Sequence, residues 1–391
     1  MTRAILITIF SFLIFGESLC QLNILDPQNQ FAFNIYKISK PDSQNYLISP
    51  LSINIALAIA LEGASGRTKD ELTKLLGLEK IKDVSNYYGS ITQSQFRTDS
   101  LNHLDVCNSL WYNDKFDLNL SNFEKIKSNY NSEIISYGDN ELLNIDDRIN
   151  MWISEKTHNR ITSLPSSIDD QTRLTILNAT YLIAEWYVKF DKTDTKERYF
   201  KSLDQSSDKI DFMFKHSYLK YYENNEVQVV SLPYTEDILS MLIILPLKSY
   251  GLPKVENKFN STYFNKIISS LKRTDVILYF PKFRIESEVM LLEPLQRLGL
   301  ENTFSSNADF SLFDPKKEVW LGNIVHKTFI ETDEEKTEAA AVTEIVMVGS
   351  SRRVHEPPPP KIVDVDHPFM FCIIDNRTGG IIFMGRYVNT K

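Results

Sequence analysis

Arg352 and Arg353 form a dibasic pair just after Gly349-Ser350-Ser351 and just before four prolines, Pro357 to Pro360. A trypsin-like protease needs a cation on the residue before the bond it cuts, so this pair offers such an enzyme a substrate site. The pair lies in a stretch from Glu331 to Pro360, ETDEEKTEAAAVTEIVMVGSSRRVHEPPPP. Its start, Asp333 to Glu335, is acidic. The middle has conflicting local preferences: Ala339 to Ala341 favour helix, Val342 to Val348 favour strand, and Gly349 to Ser351 favour a loop. Read with a period of two, Thr337, Ala339, Ala341, Thr343, Ile345, Met347 and Gly349 share one small or apolar face. Glu338, Ala340, Val342, Glu344, Val346 and Val348 share the other, which keeps two carboxylates for water. The stretch is therefore either an alanine-rich linker or a loop able to become a strand, with cleavable arginines at its far end.

Elsewhere the sequence offers little reactive chemistry. No nucleophile–base pair is evident, and no Cys/His cluster has metal-ligand spacing, so neither metal nor cofactor is expected. Cys107 and Cys372 are far apart in apolar, strand-like contexts and read as two buried free thiols. N-x-S/T sequons occur at Asn119, Asn178, Asn260 and Asn376. Asn178 lies within an apolar run and is expected to stay unmodified. Asn119, Asn260 and Asn376 are the glycan candidates, the last two in loop contexts.

The elements that must position this stretch can be read in chain order. The chain has 391 residues, 42% hydrophobic and 24% charged, enough for one large core. A net charge of -8 gives no sign of a nucleic-acid surface. Residues 1–20 read as a secretory signal: Arg3, then the apolar run Ala4 to Phe15, then Ser18-Leu19-Cys20, with cleavage before Gln21. No later segment is long and apolar enough to span a bilayer. Helices are predicted from Phe31, over Asn54 to Leu61, from a cap at Thr68 to Leu75, over Asn122 to Tyr130, Asp146 to Ile161 and Val289 to Leu298. Lys80 to Ser100 is polar and weakly helical. Strands are predicted over Asp105 to Tyr112, Leu174 to Leu182, Glu226 to Leu232, Leu239 to Leu245, Val276 to Phe283 and Val319 to Glu331. A closing hairpin joins Phe369–Asp375 to Gly380–Val388. Leu174 to Leu182 is almost continuously apolar, as a strand buried on both faces must be. No linker or repeat divides the chain, so residues 21–391 are expected to form a single mixed α/β (α+β) domain.

From about Phe31 to Val388 the chain resembles the serpins, a family of serine-protease inhibitors. ISPLSI at 48–53 is similar to the family's FSPLSI, and GASGRT at 63–68 to its GAxGxT. LNATYLIAEW at 177–186, with Phe190, Thr195 and Phe200 at family spacing, is similar to VNAxYFKGxW. LPYTEDILSMLIILP at 232–246, ADFS at 308–311, VHK at 325–327, EEKTEAAAVT at 334–343, DHPFMFCI at 366–373 and the ending TGGIIFMGR follow in family order.

The resemblance implies three β-sheets, eight or nine helices and an exposed reactive-centre loop at about 334–360. It implies a monomeric inhibitor, not an enzyme, whose partner is a serine protease. The protease cuts the loop and is held as a covalent acyl-enzyme while the loop inserts into the central sheet. It also implies roles for single residues. Ser49, Ser52, Asn178 and His326 match a polar cluster beneath the sheet, where its strands part. Trp186 matches the aromatic at the top, and Lys282 and Glu334 match an ion pair at the loop's base. Glu334, Lys336, Thr337, Glu338, Ala339, Ala340 and Ala341 match the hinge, with one departure: glycine is usual where this chain has Lys336, and lysine restricts φ.

Counting from Glu334 puts the scissile bond at Ser350-Ser351, whereas side-chain chemistry favours a cut after Arg352 or Arg353. Val348 and Met347 would instead suit elastase-like or chymotrypsin-like enzymes, with Met347 a further possible cut site. A non-inhibitory carrier or scaffold is the other class. Lys80 to Ser100, matching the family's heparin-binding helix, has too few basic residues for heparin.

Overall fold

The computed structural model describes residues 27–95, 102–119, 121, 123–164, 168–334 and 358–391. The signal-like residues 1–20, Lys336 to Ala341 of the expected hinge, and the expected cut-site residues Met347 and Ser350 to Arg353 lie outside them. The described helices are α1 (27–39), α2 (Pro50–Gly63), α3 (Gly66–Leu75), α4 (Val84–Gln95), α5 (Phe123–Tyr130), α6 (Ile145–Lys156), α7 (Leu252–Lys258), α8 (Ser261–Ser270) and α9 (Leu292–Arg297). The strands are β1 (Tyr46–Ile48), β2 (Asn102–Asn113), β3 (Ser132–Tyr137), β4 (Leu174–Ala184), β5 (Lys196–Lys201), β6 (Ser207–Glu223), β7 (Val227–Pro233), β8 (Leu239–Pro246), β9 (Lys272–Pro281), β10 (Phe283–Met290), β11 (Leu321–Thr332), β12 (Lys361–Asp364), β13 (Phe369–Asp375) and β14 (Ile381–Tyr387).

A five-stranded sheet in the order β10-β11-β4-β2-β3 lies at the centre. β4 and β11 run parallel and pair directly from Leu174/Leu321 to Tyr181/Phe329, so no strand stands between them. Alternation explains the continuous apolar run of β4. Ile176 and Leu182 face the main core with Ile324 and Ile330 of β11 and the buried residues of α2. Leu177, Ala179 and Tyr181 face a second core, where Val325 and Phe329 meet Ile149, Trp152 and Ile153 of α6. With both faces covered, each position along the strand favours an apolar or internally bonded side chain.

The second sheet has the order β1-β14-β13-β8-β7-β6-β9-β12, with β5 also paired to β6. Two of the three expected sheets are thus continuous through one strand. β6, 17 residues long, pairs with β5 at its start, with β9 from Phe212 to Tyr221, and with β7 from Lys220 to Glu223.

Several boundaries differ from the sequence reading for local reasons. α2 begins at Pro50 rather than Asn54, because Ser49 caps it by accepting from the Ser52 N–H and Pro50 suits the first turn. Ser65, not Thr68, stands at the start of α3; the Thr68 hydroxyl instead accepts from the Asp309 N–H at 2.9 Å. α6 stops at Lys156, where His158 and Asn159 take positive φ of 49° and 60°. Val289 belongs to β10, whose burial alternates strictly, and the helix after it is only Leu292–Arg297.

Candidate functional site

Two polar positions interrupt the apolar inner face of β4, Asn178 and Thr180, and two interrupt that of β11, His326 and Thr328. Asn178 and His326 are register partners across the parallel pair. Ser49 and Ser52 reach the same place from the start of α2, whose position is fixed by its proline and cap. The Ser49 N–H donates to His326 Nε2 at 2.9 Å, so the imidazole proton is on Nδ1, which donates to Asn178 Oδ1. Asn178 Nδ2 in turn donates to Ser52 Oγ at 2.5 Å and to Asn108 Oδ1 at 2.6 Å. The Thr180 hydroxyl donates to Ser52 Oγ at 2.6 Å, and the Ser49 hydroxyl to the Ile382 carbonyl at 2.8 Å.

All of these side chains are buried, and burial pushes the His326 pKa down to about 3. The cluster is therefore a neutral, hydrogen-bonded rivet between β4 and β11, in which Asn108 Nδ2 is left without a partner. Ser49 meets the imidazole with its backbone N–H and turns its hydroxyl elsewhere, the wrong pairing for a nucleophile and its base.

At the other end of the pair, the segment after β4 folds over the end of β11. Trp186 Nε1 donates to the Asp333 carbonyl at 3.0 Å. Its ring stacks on Tyr234, with centroids 4.6 Å apart and planes 10° apart, and meets Phe190 edge-on. A void of only about 10 Å³ remains beside it, between the ends of β4 and β11. One residue further, Glu334 is 5% exposed and forms an ion pair with Lys282 at 3.0 Å. It also accepts from the Thr195 hydroxyl at 2.5 Å. Burial tends to raise the Glu334 pKa, but the bonds from Thr195, the backbone and Lys282 outweigh it, and the carboxyl is held below its usual range. On the outer face, buried Lys327 lies between Glu286 at 3.1 Å and Glu288 at 3.3 Å.

The structure thus brings Ser49, Ser52, Asn178 and His326 into one cluster, and Trp186, Lys282 and Glu334 into another. Asn108, Thr180, Thr195 and Tyr234 join them unforeseen. The period-two polar interruptions in β4 and β11 were a usable signal for Thr180; Thr195 and Tyr234 fall within the family-like motifs, which marked the positions without giving their contacts.

The other singled-out residues lie apart. Asn119 and Asn260 are exposed; the Asn119 side chain accepts from Ser121, and Asn260 caps α8. The Asn376 amide nitrogen donates to the Asp237 carbonyl, the Asp237 carboxylate and the Ser240 hydroxyl, all within 2.9 Å. Cys107 and Cys372 are free thiols, Cys372 buried and Cys107 half-buried. Burial pushes the Cys107 thiol up to about 12, well away from a reactive thiolate. Among the described residues, no group of three or more His, Cys, Asp or Glu could hold a metal ion, and no helix is long and apolar enough to cross a membrane.

The sequence model of the serpin (serine protease inhibitor) family matches residues 26–390. Iripin-1 of Ixodes ricinus is 32% identical over 368 residues, covering 92% of each chain. The native-state structure of the thermophilic serpin tengpin superposes with a TM-score of 0.81 at 27% identity, covering 93% of this chain and 94% of that one. Human thyroxine-binding globulin, solved with its hormone, shares the fold at a TM-score of 0.83 and 24% identity, over 94% of this chain and 99% of that one.

Proposed function

The chain belongs to the serpin family, and from that premise we propose that it is a secreted, monomeric inhibitor that traps a trypsin-like serine protease as an acyl-enzyme. Membership of the family carries protease inhibition in general. The mechanism and the target are our reading, and one observation above all supports them: the direct parallel pairing of β4 with β11. β11 leads into the loop, so a segment returning from its end runs antiparallel to β11. Because β4 is parallel to β11, the same segment runs antiparallel to both. Insertion therefore exchanges one parallel ladder for two antiparallel ones, the more stable kind of pairing per residue. It adds roughly ten backbone hydrogen bonds at about 1 kcal/mol each. About 15 residues at about 3.3 Å each carry an attached protease roughly 50 Å. Such strand addition to a sheet is an established mode of serpin action.

The residues available for insertion favour this outcome. The inward positions from Thr337 to Met347 are small or apolar and fit between two buried strands. Lys336 shares the outward face with Glu338 and can stay in water as the strand enters. Until cleavage, the His326–Asn178 rivet and the Glu334–Lys282–Thr195 contacts keep the sheet closed, so the native form persists through a kinetic barrier.

Arg352 and Arg353 support a trypsin-like target, with Ser350-Ser351 as the competing bond. Residues 1–20 support secretion, and exposure supports glycans on Asn119 and Asn260. A glycan on Asn376 would replace one of its two amide hydrogens and so break part of its bonding to Asp237 and Ser240. Incubation with trypsin tests the reading. The expected result is an SDS-stable complex and a released peptide beginning at Arg353 or Val354. A peptide beginning at Ser351 would move the target to an elastase-like or chymotrypsin-like enzyme. Clean cleavage by every serine protease tried, with no complex and no gain in thermal stability, would overturn the inhibitory reading.

A further inference from the structure

The His326 rivet and the Trp186 contact hold the middle and the upper end of the β4–β11 pair. A third clasp holds its lower end. Arg173 and Trp320 stand just before the first ladder pair, Leu174 with Leu321. The Arg173 side chain crosses from β4 to the chain that leads into β11. Its Nε donates to the Glu318 carbonyl at 2.8 Å, and its guanidinium lies 3.9 Å from the centre of the Trp320 ring. Phe116, from the turn after β2, meets the same guanidinium at 5.1 Å. Arg173 and Trp320 are both half-buried.

This clasp lies where insertion would end. A turn centred between Glu334 and Glu335 sets Thr337 opposite Thr332 of β11. Continuing down the antiparallel ladder sets Gly349 opposite Trp320, to within the one-residue bulge between Leu321 and Asn323. Ser350 to Arg353, which hold the candidate bonds, then arrive at or just past the clasp. A strand entering between β4 and β11 takes their separation from about 4.8 Å to about 9.6 Å. On its present course the guanidinium would then sit roughly 9 Å from the Trp320 ring, beyond the ~6 Å reach of a cation–π contact. The bond to Glu318 would part with it. The clasp thus belongs to the closed sheet, and it is the last contact that an entering strand meets. Each residue inserted above it adds ladder bonds. At the clasp the entering residue is Gly349, which has no side chain to bury while the stack and the Glu318 bond are lost. The gain per residue is smallest there, so an incompletely inserted acyl-enzyme waits longest at this point.

We propose that Arg173 and Trp320 form the terminal lock of the central sheet, and that its opening sets how fast a captured protease is carried to full insertion. This rests on the trapping mechanism proposed above and assigns its last step to two residues.

The variants Arg173→Gln and Trp320→Leu, singly and together, test the lock. At saturating trypsin, the limiting rate at which SDS-stable complex forms should rise about fivefold in Arg173→Gln, as loss of a contact of this kind gives. The double variant should match the single ones, because each removes the same contact. A purely structural residue would weaken every state of the chain. The lock predicts instead that uncleaved Arg173→Gln unfolds at lower guanidinium than the uncleaved native chain, while the two loop-cleaved forms unfold together. Arg173→Lys keeps a cation without the flat stack and should shift rate and midpoint in the same directions, which keeps the test open should the glutamine variant fail to fold. A native chain that forms no complex with any protease defeats the trapping mechanism and the lock with it. A native chain that does form one, with variants of unchanged rate or cleaved forms that differ as much as the uncleaved ones, overturns the lock alone.

Discussion

Protonation of His326 should loosen the central sheet. In the folded protein its pKa is about 3 because the ring is fully buried, against about 6.5 for a solvated histidine. The folded value is depressed, so the stability it confers is fully present above pH 6.5 and is lost as the pH falls from there towards 3. At pH 5.5 the solvated ring is about ten parts protonated to one, while the buried ring stays neutral. The linkage penalty between pH 7.5 and 5.5 is therefore about 1.4 kcal/mol, roughly tenfold in the equilibrium between closed and opened sheet. Geometry gives the same sign: a proton on Nε2 would face the Ser49 N–H, a donor meeting a donor. Guanidinium unfolding and the rate of heat inactivation should be measured at both pH values, for the native protein and for His326→Gln. The glutamine variant should be less stable at pH 7.5 and should lack this share of the pH slope. Identical slopes in the two proteins would refute the assignment, since the exposed histidines contribute equally to both.

The loop base can be tested in the same way. Lys282→Met leaves a nearly buried Glu334 carboxylate with Thr195 as its remaining side-chain partner, and should cost about 2 kcal/mol, read as a lower unfolding midpoint. Glu334→Gln should cost less, because the half-exposed Lys282 can be rehydrated. Trp186→Phe removes the bond to the Asp333 carbonyl while keeping a ring against Tyr234. A loss of about 1 kcal/mol, or about fivefold faster heat inactivation, is expected. Under the proposed trapping mechanism, Lys336→Gly, which relaxes the limit on φ at that position, should lower the number of molecules consumed per protease trapped, measured by titration against trypsin.

Much of the fold was legible because burial dictates composition. The run in β4 is apolar at nearly every position because one core lies on each face, and the β13–β14 hairpin carries a turn between two apolar strands. Long-range pairing was far less legible. β6 alternates charged and apolar residues irregularly, since its partners change from β5 to β9 to β7 along its length and its burial changes with them. In the site, the polar interruptions in β4 and β11 carried a signal, and the family resemblance located Ser49, Ser52, Trp186 and the Lys282–Glu334 pair. Thr195 and Tyr234 act through contacts with distant segments that no local pattern encodes.

The length of β6 has a mechanical consequence. A single unbroken strand crosses from one half of the larger sheet to the other, so neither half can peel away without stretching its neighbour. The amide protons of Phe212 to Glu223 that bond to β9 or β7 should therefore exchange with solvent together and among the slowest in the chain, like a beam that fails at once rather than plank by plank.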